Sequence, residues 1–211
     1  MVTDCYHHPM KTTVILASGP SLTQADCGAV HAWRDECRDS RSVIVVNTTF
    51  RAAMWADWLY TNDDDWLDVH IAEIKDEFQG RVICGHPDWR GDDYVHHVPF
   101  DRDADGLCSR KDRHIAWGMN SGGAAISLAA YLGARRIILL GYDQQWTGGK
   151  PRWHGRHPAG LQNQKPGFHR WAKWFAQAAI DADACGIQIV NASRETSLTC
   201  FPRAALEDAL C

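Results

Sequence analysis

At 211 residues the chain has the length of one domain of about 150 residues with added loops, enough to bury a core without disulfide or metal staples. Apolar residues make up 45% and charged residues 23%, with 8 Pro and 17 Gly, a balance that excludes collagen-like, coiled-coil and disordered chains. A net charge of −4 argues against a general polyanion binder, and no apolar run approaches the ~18 residues of a membrane span. The opening MVTDCYHHPMK lacks a signal peptide's apolar stretch, so no membrane partner and a cytoplasmic location are expected.

Thr12 to Ala17 is a β-branched apolar run ended by Ser18-Gly19-Pro20, which predicts a buried strand entering a turn. Ser21 is expected to cap a helix reaching about Cys37. Ser42 to Val46 and Ala56 to Thr61 predict two further strands, stopping at Asn47 and at Asn62 with Asp63, Asp64 and Asp65. A helix follows, then short strands at Arg81 to Cys84 and Tyr94 to Val98, and a polar, irregular stretch from Phe100 to Trp117. Ser121 to Leu132 predicts a helix of small residues, Arg136 to Leu140 a strand, and Gly141 to Gly167 a long loop. A helix from Phe168 to Cys185, a strand Ile187 to Val190 and a helix near Pro202 to Leu210 close the chain.

Continuous apolar strands alternating with helices predict a mostly parallel sheet covered on both faces. The expected fold is one doubly wound, Rossmann-like α/β domain over residues 1–211, with two long loops, 100–117 and 142–167, near the active site.

The eight cysteines are scattered, with no C-x-x-C, which favours reduced thiols over a disulfide framework. His154 and His157 have no cysteine beside them, so a structural zinc is not expected. Between Asp143 and Asp181 there is no acidic residue, while Lys150, Arg152, Arg156, Lys165, Arg170 and Lys173 interleave with Trp146, Trp153, Trp171 and Trp174. Two readings stand: a solvated basic face over core tryptophans, or a surface for phosphate-bearing ligands.

In such a sheet ligands sit beyond the carboxyl ends of the strands. Ser18 to Ser21, Asn47, Asn62-Asp63, Gly141-Tyr142-Asp143 and Asn120-Ser121-Gly122 all fall there. Glycine permits close backbone approach, helix starts offer N–H groups to an anion, and Asn reads base or ribose edges. Neither a dinucleotide G-x-G-x-x-G nor a phosphate-binding G-x-x-x-x-G-K-[ST] is present. The Asp63 to Asp65 run reads either as a divalent-ion cradle or as a helix start.

The segments V-I-L-A-S-G-P-S-L (14–22), the strand ending in Asn47, N-S-G-G-A-A (120–125), I-I-L-L-G-Y-D (137–143) and G-I-Q-I-V-N-A-S (186–193) come in an order that resembles the small bacterial sialyltransferases using CMP-sialic acid. W-H-G-R-H-P at 153–158 is similar to an element of phage-type members of that superfamily. The resemblance implies a glycosyltransferase with a nucleotide-sugar donor and no obligatory metal, in a host cytoplasm if the chain is phage-encoded. It implies nucleotide contacts from Gly19, Pro20, Ser21, Asn47, Asn62 and Asp63, and donor phosphate and sugar contacts from Asn120, Ser121 and Gly122. Tyr142, next to Asp143, is the nearest candidate for the family's tyrosine pair, and the base is His169 or His157.

An acceptor hydroxyl needs a base working near neutrality, which histidine supplies. The acceptor surface is expected from Lys150, Arg152, Trp153, Arg156, Lys165 and Arg170, with Arg152 or Arg156 alternatively on the donor diphosphate. Hydroxymethylcytosine in double-stranded DNA fits an anionic, aromatic acceptor and requires base flipping. The competing readings are a glycan or small-metabolite acceptor, a pterin diphosphokinase-like enzyme needing magnesium, a non-catalytic nucleotide binder and a phage structural protein.

Overall fold

The computed structural model describes residues 11–155, 157, 158, 161 and 166–211. In chain order the strands are β1 (Thr12–Leu16), β2 (Arg41–Val46), β3 (Trp58–Thr61), β4 (Arg81–Cys84), β5 (Val95–His97), β6 (Phe100–Asp101), β7 (Ile115–Ala116), β8 (Arg136–Leu140) and β9 (Gln188–Asn191). The helices are α1 (Gln24–Glu36), α2 (Asp64–Glu77), α3 (Ser121–Tyr131), α4 (Phe168–Ala184) and α5 (Leu206–Leu210). Seven strands form one sheet in the order β5-β4-β3-β2-β1-β8-β9, and every pairing in it is parallel. This is the doubly wound α/β fold expected.

The sheet strands are apolar without alternation because both faces are covered. Ile15, Ile44, Ile137 and Leu139 point to the side of α3 and α4, where Ala124, Ala125, Phe175 and Ala178 meet them. Val14, Leu16, Val43, Val45, Ile138 and Leu140 point to the side of α1, α2 and α5, against Val30, Trp33, Trp66, Leu67 and Leu206. A side-chain period of two on each strand thus supplies both cores. Among the described residues no helix is long and apolar enough to cross a membrane.

Two local expectations change. Helix α1 is capped by Thr23, not Ser21: Thr23 and Asp26 form a reciprocal capping box, while the Ser21 hydroxyl is taken by Asp143. The irregular stretch before α3 contains β6 and β7, paired as a small parallel ribbon. From β2 to β3 the chain crosses by a 3-10 turn, Asn47–Ala52, whose Phe50 is buried.

Candidate functional site

Strand order reverses at β1, which lies between β2 and β8, and a crevice opens at such a switch point beyond the carboxyl ends of the strands. A cavity of about 200 Å³ occupies it, walled by Ala17 to Gly19 after β1, Val46 and Asn47 after β2, and Gly141 to Gln144 after β8. Asn120 to Gly122 at the head of α3, Asp63 at the head of α2, and Pro151, Arg152, His154, His157, Pro166, Phe168 and Trp171 complete it.

The β1 and β8 ends are clamped together. Gly19 N–H donates to the Gly141 carbonyl at 2.8 Å, and the Ser21 N–H and hydroxyl donate to the two Asp143 oxygens at 2.9 and 2.6 Å. A Cβ on Gly19 would stand 2.1 Å from Asp143 Oδ1 and 2.4 Å from the Gly141 carbonyl, so glycine is required here by the neighbouring loop. Gly141 has φ +70° and lies against the Ala17 carbonyl, a left-handed conformation that glycine adopts without strain. Tyr142 is buried, and its hydroxyl donates to the Gly122 carbonyl at 2.9 Å. Burial pushes that phenol well above its ordinary range, so it is a fixed neutral donor holding α3 to β8 rather than a group free for a leaving phosphate.

What remains uncommitted faces the cavity. Asn47 Oδ1, Asn120 Nδ2 and Gln144 Oε1 are buried without hydrogen-bond partners, each belonging to a lining residue. A buried unpaired polar atom costs about 1–3 kcal/mol. Asn47 and Gln144 also hold φ of 48° and 51°, and backbone strain of this kind collects at ligand sites. Asn120 caps α3 by accepting the Gly123 N–H at 2.9 Å, and the N–H groups of Ser121 and Gly122 find no acceptor among the described residues. They are the orphan donors of a helix start.

Arg152 supplies the charge. Its half-buried guanidinium lines the cavity and forms no ion pair or hydrogen bond through its side chain among the described residues. Burial lowers its pKa from the usual arginine value, yet a guanidinium stays protonated near neutrality. The two acids in the wall do not pair with it: Asp143 serves Ser21, and Asp63 caps α2 by accepting the Trp66 N–H at 3.0 Å.

Two histidines share this wall. His154 and His157 lie with ring centroids 5.1 Å apart. Burial first, then the neighbouring His157 and Arg152, push His154 down to about 4. Burial and Arg152 also lower His157, with Asp63 acting in the opposite direction. Burial disfavours the charged form of both rings, and Asp63 acts against that trend at His157.

Several expected contributors lie elsewhere. His169 is exposed in the first turn of α4 and does not line the cavity. Asn62 is committed to the fold: Tyr60 donates to its Oδ1, its Nδ2 reaches the Trp117 carbonyl at 3.2 Å, and its N–H donates to Ser121 Oγ. Pro20 and Ser21 stand behind the wall. Lys150 is exposed in a tight turn closed with Thr147, and Arg170 is exposed on α4. Trp153 is a tether, its N–H on the Ser18 carbonyl at 3.0 Å and its Nε1 on Thr49 Oγ1 at 3.3 Å. Arg156 and Lys165 lie outside the described residues.

Gln144, His154, Phe168 and Trp171 line the cavity without having been expected as site residues. Gln144 is signalled by its place one residue beyond Gly-Tyr-Asp, and Phe168 and Trp171 by their i, i+3 spacing. The carboxylates of Asp63, Asp64 and Asp65 come within 4.8 Å of one another, at the start of α2 where the helix dipole favours acids. The chain matches no protein-family model, no curated protein and no solved structure, and a functional reading therefore rests on the geometry of the cavity.

Proposed function

We propose that the switch-point cavity binds the phosphate of a nucleotide sugar and that the chain is a glycosyltransferase with His157 as general base. The observation that carries this reading is Arg152, a partly desolvated cation without a side-chain partner among the described residues, in the same wall as the uncommitted N–H groups of Ser121 and Gly122. A phosphate satisfies both at once. Asn47, Asn120 and Gln144 would then pair with the polar edges of ribose, base or sugar.

In the reaction His157 takes the proton of the acceptor hydroxyl, the oxygen attacks the anomeric carbon opposite the nucleotide, and the glycosyl–phosphate bond breaks with inversion. Negative charge developing on the departing phosphate is met by Arg152 and the head of α3, donors already in place before the bond breaks. No step requires a metal, so turnover is expected to survive excess EDTA. Loss of turnover restored by magnesium would favour a pyrophosphoryl transferase instead.

The acceptor we propose is hydroxymethylcytosine in duplex DNA, a reading supported by the acid-free basic stretch and by the sequence resemblance. Ser121→Trp tests the site: an indole at the head of α3 fills the cavity and should abolish nucleotide binding by calorimetry. Unchanged affinity in a folded variant would place the nucleotide elsewhere.

A further inference from the structure

A second groove adjoins the first across the opening turn of α4. Arg102, Trp117, Met119, Arg170, Lys173 and Trp174 line it. The two share a wall, since Met119 precedes Asn120 and Trp171 sits between Arg170 and Lys173 in the chain, with Asn120 and Trp171 facing the nucleotide cavity.

The groove is cationic from two separate segments. Arg102, Arg170 and Lys173 are all exposed and form no ion pair among the described residues, whereas the nearby Asp101 and Asp103 are both occupied by Lys111. Asp105 is the one carboxylate among the described lining residues. Arg102 lies over Phe100 and Trp117, 5.7 and 6.0 Å from the ring centroids, which holds the guanidinium plane flat while its N–H edge stays available. Trp174 is only 6% exposed, and its indole N–H has no acceptor. Arg170 folds back over Gly167, where an added Cβ would stand 3.0 Å from the guanidinium and 3.3 Å from the Trp171 indole nitrogen. Among the described residues these donors have no internal acceptor, and three cations against one carboxylate suit a phosphate better than a neutral hydroxyl compound.

We propose that this groove is the acceptor subsite and takes a phosphate of the acceptor, held by Arg102, Arg170 and Lys173. This rests on the transferase reading and divides its cations: Arg152 serves the donor, and the three across α4 serve the acceptor. The phosphate can come from a polynucleotide backbone or from a phosphorylated sugar, and the two are separable by experiment.

The test compares the wild-type chain with Arg102→Ala/Lys173→Ala and the charge-conserving Arg102→Lys/Lys173→Arg, all checked for folding by circular dichroism. Donor binding is read by calorimetry with UDP, CMP and GDP. Acceptor binding is read with a fluorescent hydroxymethylcytosine DNA duplex over a salt series and with glucose 6-phosphate. Wild type is expected to bind one of the two acceptor probes, which names the source. The alanine pair should weaken that binding roughly tenfold and, for DNA, flatten the log K against log salt slope by about two. Donor affinity should hold in both variants, and the charge-conserving pair should keep most acceptor affinity. Acceptor binding unchanged in the alanine pair, or no binding of either probe by wild type, overturns the subsite; absence of any nucleotide binding overturns the transferase reading separately.

Discussion

Asp143 shows how one carboxylate can hold the two sides of a site together. Both of its oxygens are occupied by Ser21, 122 positions away, so its contribution is to hold the β1 and β8 ends at the spacing that the cavity needs. Asp143→Ala leaves the buried Ser21 N–H without its acceptor and the Ser21 hydroxyl with only the Glu195 carbonyl at 3.5 Å, and should cost about 1–3 kcal/mol, readable by urea denaturation. Gly19→Ala should do at least comparable damage, because its Cβ would collide with Asp143 and the Gly141 carbonyl, and nucleotide affinity should fall with it. The pair also explains a misread residue. Ser21 has the composition of a helix cap, and only a contact from the far half of the chain diverts it, leaving Thr23 to cap α1.

His154 yields a pH prediction with a definite sign. Its folded pKa is depressed to about 4 from an unfolded value near 6.5, so between those values the unfolded or opened chain binds the extra proton. Stability is therefore full above about pH 6.5 and is lost as pH falls toward 4. Thermal melts from pH 7.5 to 4.5 should show this decline, and His154→Asn should flatten it. A variant with the same slope as wild type would move the effect to other groups.

At the scale of elements, strands were the most legible feature. Arg81–Cys84 and Arg136–Leu140 are found with the expected bounds, because short β-branched runs between polar punctuation admit few alternatives. The ribbon of β6 and β7 was hidden, since two-residue strands carry no period. The loop after β8 was recognisable by its length, but not the way it folds. Trp153 pins it to Ser18 and Thr49, which brings Arg152 and His154 over the β1 end while Lys150 stays in solvent. Trp153→Phe keeps the ring and removes the Nε1 hydrogen bond, worth about 1 kcal/mol. Its expected signature is a raised KM for the donor with little change in kcat, measured by steady-state kinetics.

Across the whole molecule, topology does what no single motif could. Asn47, Asn120, Gly141 and Arg152 are separated by up to about half the chain, and they meet because β1 lies between β2 and β8. Alternation of apolar strands with helices was enough to expect that sheet edge, and hence most of the cavity wall. The charged residues were less legible, since six cations in one sequence stretch read as one surface. The helix α4 separates them: Trp171 faces the cavity, whereas Arg170 and Lys173 face the neighbouring groove. Side-chain direction on a helix, set by a period of 3.6, decides which ligand a cation can reach.

The central claim is that Arg152 and the head of α3 hold a nucleotide phosphate, and calorimetric titration of UDP, CMP and GDP into wild type and Arg152→Ala tests it most directly. The account predicts saturable binding of one of these nucleotides to wild type and a loss of roughly tenfold or more in affinity for Arg152→Ala, with the corresponding nucleoside, which lacks the phosphate, binding both proteins equally. Equal nucleotide affinity in the two proteins, or no binding of any nucleotide to wild type, would contradict it.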